Sequence, residues 1–450
     1  MSNNQANYIN PEDNLKKTIG LGGAISISTG QIIGAGIMAL TGIGIGLTGP
    51  SVVFAFVLAA LITIVVAMPL AFNGATIPTT GGNYRYTSRI ISPKIGFFYL
   101  ALFTLGQITI AMYALSFAEY LQGVMPGVPI KLVAGIILTL LYLSNIVGVQ
   151  KAAKLQKVLM VLLVLSLGIF IVKGLPKVDY SLFTAGKTVL FTHGLKGFLQ
   201  ATALLTFATN GAIVVSELGG ELKNPGRDIP VAILVSTAVV GVLYALVSMV
   251  AVGILPLEQT AFQPLTNVAK EILPNSLFIC FIVFGAMAAL ATTLNATFSW
   301  VTKGLLIACH DGWLPEKFGA VNKKYGTPHW ILTFFYVVGL IPIVTGLSLE
   351  FISSLGNAAI QLANILPLIA AAMLAYKYPE AYKKSPFKLP KTLIKVLVAG
   401  GVILQFVQGY FLLVDQSVSV YVMSAVYIIA AFVYSSAVYK KGNINFKREF

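Results

Sequence analysis

Gly30-Gln31-Ile32-Ile33-Gly34-Ala35-Gly36-Ile37-Met38 places three glycines within seven residues in the middle of a long apolar stretch. Glycine weakens a helix interior by about 0.5–1 kcal/mol relative to alanine, so this spacing favours a break that exposes backbone N–H and C=O groups. Inside a bilayer such groups must find partners, and irregular backbone is tolerated there only where it is buried in protein or lines a cavity. The break is therefore a candidate ligand site that works by main-chain hydrogen bonding. Close helix packing through Gly30/Gly34 and Gly42/Gly46 is the competing reading. A second anomaly lies at Phe207-Ala208-Thr209-Asn210-Gly211-Ala212, where a helix-disfavouring Thr-Asn-Gly triplet interrupts another apolar stretch.

Other side chains could add to such a site. Tyr113 and Asn295 lie in apolar stretches, and Asn295 belongs to a hydroxyl and amide run with Thr292, Thr293, Thr297 and Ser299. Each, taken singly, could equally join two helices. Lys151, Lys154 and Lys157 open a further apolar stretch at three-residue spacing. The outer two suit snorkelling to headgroups, whereas Lys154, pointed inward, would be a buried cation with a functional role. Chemistry of soluble enzymes is missing. His193, His310 and His329 are isolated, so no metal site is expected, and no phosphate loop or nucleophile elbow is present. Cofactors are not expected, and Cys280 and Cys309 read as free thiols.

The elements that must position these residues follow from composition. Of 450 residues, 57% are hydrophobic and 10% charged, with mean hydropathy +0.86. That pattern predicts an all-α integral membrane protein, its lipid bilayer the main partner, with twelve crossings of about 20 apolar residues each. The expected spans are 18–47, 51–77, 95–123, 130–148, 153–174, 194–219, 229–254, 276–308, 329–346, 350–376, 392–413 and 418–439. Segments placed inside hold 23 of the 30 Lys/Arg, which puts both termini in the cytoplasm. The net charge of +15 thus reports topology, not nucleic acid. The loop Thr80–Arg89 reads as an interfacial anchor of aromatic and basic residues. Spans 11 and 12 show no broken centre or polar run and read as lipid-facing or oligomer-forming.

Gly34 and Gly211 are 177 residues apart, an offset that also carries span 5 onto span 10. Two five-helix halves of opposite topology follow, 18–174 and 194–376. They are flanked by a tail 1–17, an outer loop 175–193, spans 11 and 12 within 377–439, and a tail 440–450.

Three motifs in matching topological places resemble the amino acid/polyamine/organocation superfamily, and within it the L-type amino acid transporter family. They are Gly30-Gln31-Ile32-Ile33-Gly34-Ala35-Gly36-Ile37, the loop Thr80-Gly81-Gly82-x-Tyr84, and Glu221-x-Lys223-Asn224-Pro225-x-Arg227-x-Ile229-Pro230. The resemblance covers roughly residues 15 to 440. It implies a LeuT-type five-plus-five inverted repeat with broken helices 1 and 6. It further implies that Ala35 and Gly36 offer N–H groups to a substrate α-carboxylate, while carbonyls of Ile32, Phe207 and Asn210 accept from its α-ammonium. Phe207 would be an aromatic gate; Thr209, Asn210, Gly211, Tyr113 and Asn295 would set side-chain selectivity. Ala35 stands where the family usually has serine, so carboxylate binding would rest on the backbone. Lys154 resembles the lysine that replaces a sodium ion in sodium-independent relatives.

The expected activity is sodium-independent exchange of small neutral L-amino acids of the alanine, serine and cysteine type across a bacterial plasma membrane. A proton-coupled symporter is the nearest alternative, and a channel or a sensor without transport the alternative of another class. The outer loop between spans 3 and 4 has no cysteine, so no covalent heavy subunit is expected.

Overall fold

The computed structural model describes residues 19–79, 81–147, 152–184, 186, 190–322, 324–442 and 444, with the side chains of 35, 152–159, 217–221 and 299 left out. The expected tail at 1–17, and residues 443 and 445–450 of the expected tail 440–450, therefore lie outside the described residues. Among the described residues the regular secondary structure is helical apart from one isolated bridge, Ile19 beside Leu222. Among the described residues ten helices are long and apolar enough to cross a membrane, and His329–Thr345 is a shorter apolar one. One of the ten runs from Gly36 to Thr76, longer than a single crossing needs. Its direction changes at Gly49-Pro50-Ser51, a 3₁₀ turn where Gly49 takes φ +68° and Pro50 supplies no N–H.

Span 1 is two helices, Leu21–Ile32 and Ala35–Thr48, separated by extended Ile33 and by Gly34 at φ −157°, ψ −133°. Span 6 is α-helical over Gly194–Thr209 and continues as 3₁₀ over Asn210–Glu221. Span 8 carries a π segment, Phe281–Met287, before its α-helix Ala288–His310. Spans 2, 7 and 10, over Val52–Thr76, Pro225–Val252 and Leu349–Lys377, are uninterrupted despite Pro69, Pro230 and Pro367. They pack around the broken pair: span 7 lies along both halves of the region, against the inner helix of span 1 and the 3₁₀ part of span 6. Aliphatic side chains such as Leu132, Leu140, Val239, Val344 and Val426 face outward, as a bilayer-facing surface requires.

Two expectations need correction. Span 11, Lys391–Leu413, is not merely lipid-facing: it buries Gln405 and Gln408, and Gln408 Nε2 donates to Thr206 Oγ1 of span 6 at 2.6 Å. An amide in a bilayer needs a partner, and the Thr206 hydroxyl oxygen, its own proton donated to Thr202 O at 2.9 Å, supplies it. Span 12, Val418–Lys440, stays largely exposed. The loop Thr80–Arg89 is not an interfacial anchor. Tyr84, Tyr86 and Arg89 are buried. Arg89 makes a two-pronged pair with Asp311, at 2.6 and 2.8 Å, just past the end of span 8, and Tyr84 Oη donates to the same carboxylate at 2.6 Å. Burial, then the Asp311 carboxylate, push the Tyr84 phenol well above its ordinary pKa, so it stays a donor. The two cysteines are free thiols.

Candidate functional site

The two breaks meet. A Cβ built on Gly211 would collide with the Gln31 carbonyl and lie 2.7 Å from Ile32 N, so only glycine lets span 6 reach the end of the inner helix of span 1. A Cβ on Gly36 would stand 2.6 Å from Ala208 Cα, which brings the start of Ala35–Thr48 against the last α-turn of span 6. On the other side, a Cβ on Gly34 would strike Thr293 Oγ1 of span 8. Three glycines that first look like packing residues thus hold three backbones or hydroxyls at a single point.

Backbone polarity divides at that point. Ala35, Gly36 and Ile37 form the first turn of a helix, where N–H groups have no partner within the helix and the dipole is positive. The preceding carbonyls are partly engaged. Tyr244 Oη of span 7 donates to Ile32 O at 2.5 Å, and Asn210 N donates to Phe207 O. Each carbonyl keeps a second lone pair. Tyr244 is fully buried, and its hydroxyl ties span 7 to the broken point of span 1. Sequence reasoning missed it because a lone tyrosine in an apolar helix gives no signal of where its hydroxyl ends.

The other expected residues divide into those brought here and those held elsewhere. Tyr113 and Phe207 face each other, ring centroids 6.4 Å apart, beside the break. On span 8, Thr297 Oγ1 donates to Thr293 O at 2.8 Å. Asn210 and Gly211 are half-buried at the junction of α and 3₁₀ backbone. Thr209 is turned away: fully buried, its hydroxyl pairs with Thr63 Oγ1 of span 2 at 2.7 Å and reaches Thr206 O. Asn295 Oδ1 accepts from Asn145 of span 4 at 2.7 Å, so that amide joins two helices. Thr292 bonds to its own helix, at Ala288 O and Ala289 O. Lys154 sits in the helix Ala152–Gly174, and its side chain lies outside what is described. Of Ala35 only the backbone is described. Among the described residues no group of three His, Cys, Asp or Glu could hold a metal ion.

The outer half of span 1 is covered. Phe262, at φ +56°, donates from its N–H to Gly42 O at 2.8 Å, and its ring fills the place a Gly46 side chain would take. Tyr120 Oη donates to Met38 O at 3.1 Å and accepts from Leu265 N at 3.2 Å. At the other end Lys223 N donates to Ile19 O at 2.8 Å, so the segment after span 6 is laced to the start of span 1. Span 10 adds Asn357 and Gln361, which donate to Leu204 O and Ala203 O of span 6 at 2.8 and 2.9 Å.

The helices form a bundle centred on two facing backbone breaks, and comparison with known proteins decides the class. A sequence profile described as amino acid permease matches residues 19–434. The chain belongs to that amino acid permease family. This permease is 26% identical over 407 residues to the branched-chain amino acid permease BcaP of Bacillus subtilis (strain 168), covering 84% of this chain and 85% of that protein. It is 28% identical over 341 residues to the serine/threonine exchanger SteT of the same organism, covering 73% and 77%. The methylthioribose transporter of that organism is 25% identical over 403 residues, covering 84% and 85%. The permease is therefore a multi-pass membrane transporter of the amino acid/polyamine/organocation superfamily, not an enzyme.

Proposed function

We propose that this permease is a sodium-independent antiporter exchanging small neutral L-amino acids of the alanine, serine and cysteine type across a bacterial plasma membrane. The observation that carries the reading is the contact of the two breaks, with free N–H groups of the first turn at Ala35 and Gly36 on one side and the carbonyls of Ile32, Phe207 and Asn210 on the other. A positive helix end suits a carboxylate and carbonyls suit an ammonium, so the pair selects the backbone of an α-amino acid without charged side chains. The Tyr113–Phe207 pair bounds the room left for the substrate side chain, with Phe207 as gate. The name of SteT, a serine/threonine exchanger, supports exchange.

In this reading the chain makes twelve crossings with both termini cytoplasmic. The repeats 18–174 and 194–376 have the LeuT-type relation, spans 11 and 12 are added, and the protein lies in the L-type branch with no heavy subunit. Exchange is the rule because the empty carrier reorients slowly. Purified protein in liposomes should take up labelled L-serine only when the lumen holds amino acid, with rates indifferent to sodium and to a pH gradient. Equal uptake into empty vesicles rules out obligatory exchange, and dependence on a pH gradient selects symport.

Lys154 is the proposed sodium surrogate, a fixed cation beside span 1 that makes a sodium ion there electrostatically costly. Lys154→Ala should lower the rate of exchange by about tenfold, the cost of removing a buried charge partner, while Lys157→Ala stays near the parent. Identical kinetics for the two variants assign Lys154 to headgroup snorkelling.

A further inference from the structure

Lys303 is a half-buried cation on span 8 with no part in the site above. It lies on the continuous helix Ala288–His310, ten residues beyond Thr293, hence about 15 Å along the axis from the broken point of span 1. His310 ends the helix about 10 Å farther on. No carboxylate pairs with it among the described residues. A half-buried ammonium with no carboxylate partner is a candidate ligand for an anion.

Lys303 lines a cavity of about 50 Å³ with Tyr84, Phe103, Val214 and Trp300. Its walls are the loop between spans 2 and 3, span 3, span 8 and, through Val214, the 3₁₀ segment three residues past Gly211. Trp300 brings a second donor: its Nε1 is buried and has no partner. Two donors, one of them cationic, call for an acceptor-rich anion, and the volume takes a carboxylate or a few waters but not a whole amino acid.

We propose that Lys303 and Trp300 form a second carboxylate-binding station, on the cytoplasmic side of the central site, that receives the substrate α-carboxylate as it leaves or enters the cell interior. The idea rests on the transport reading and topology proposed above. The cavity's position fits: one wall belongs to the 3₁₀ segment that leads away from the break, the others to helices and a loop pinned by Arg89 and Asp311. A cation there lowers the cost of taking the carboxylate off the N–H groups of Ala35 and Gly36.

The test is sidedness. In oriented proteoliposomes, Lys303→Gln should raise the apparent KM for L-alanine about tenfold from the cytoplasmic face and less than about twofold from the outer face, as expected for loss of one charge-assisted contact. Lys303→Arg should stay near the parent, and Trp300→Phe should shift in the same sense as Lys303→Gln by a smaller factor. Equal shifts on both faces, or none, overturn the proposal. Should Lys303→Gln fail to fold, the Arg and Phe variants carry the same sided comparison. A binding readout separates this from the transport reading. The chain has three tryptophans, so Trp313→Phe with Trp330→Phe leaves Trp300 as sole emitter. Its emission should respond to L-alanine, and adding Lys303→Gln should abolish the response. A parent that moves no L-alanine refutes the transport reading, and the emission experiment still decides for or against the station. A response to chloride but not to L-alanine overturns it.

Discussion

Gly211→Ala is expected to cut amino acid exchange by about 100-fold, the scale set by an ångström-sized misplacement at a site that works by position. The added methyl would meet the Gln31 carbonyl and Ile32 N, which are backbone and cannot rotate aside as a flexible side chain would. Span 6 must then back away from span 1, pulling the Phe207 and Asn210 carbonyls off the point where Ala35 and Gly36 begin their helix. Overpacking of this kind costs about 1–3 kcal/mol, so the variant should still fold and insert. Gly168→Ala and Gly135→Ala are the controls: nothing lies within 4 Å of a Cβ at either position, and both should transport like the parent. Flux from Gly211→Ala equal to that of the controls would show that the contact of the two breaks does not matter for transport.

Arg89→Ala and Asp311→Ala should each destabilise the protein by about 3–5 kcal/mol, because each leaves its partner as an uncompensated buried charge. Both side chains are only 6% exposed, so solvent offers little relief. Tyr84→Phe removes a single hydrogen bond to a carboxylate and should cost about 1.5–3 kcal/mol. The double variant Arg89→Leu with Asp311→Leu removes both charges and should recover most of the loss. Thermal unfolding in detergent, followed by size-exclusion chromatography, measures all four. Single variants within about 1 kcal/mol of the parent would place this pair with surface ion pairs.

The parts of this structure that were legible in the sequence are those written locally. Glycine spacing announced the end of a helix at Ile32, and the Thr-Asn-Gly triplet announced the end of an α-helix at Thr209, because helix propensity is a property of a few neighbouring residues. Polar pairing is different. Arg89 and Asp311 are 222 positions apart, Gln408 and Thr206 are 202 apart, and Tyr244 and Ile32 are 212 apart. Nothing near Arg89 distinguishes an arginine bound for a buried carboxylate from one bound for lipid phosphate. That is why the loop between spans 2 and 3 read as an anchor and span 11 as a passive addition. Thr209 and Asn295 teach the same lesson in reverse. Their placement near the breaks suggests substrate contact and says nothing of the interhelical bonds they make, Thr209 Oγ1 with Thr63 and Asn295 Oδ1 with Asn145.

Direct observation of a bound amino acid tests the central claim. A cryo-electron microscopy structure of the permease with L-serine should place the carboxylate oxygens about 3 Å from the backbone N of Ala35 and Gly36, with the ammonium facing the carbonyls of Ile32 and Phe207. L-serine ordered elsewhere, or turned so that its ammonium meets the first turn of Ala35–Thr48, would contradict the account.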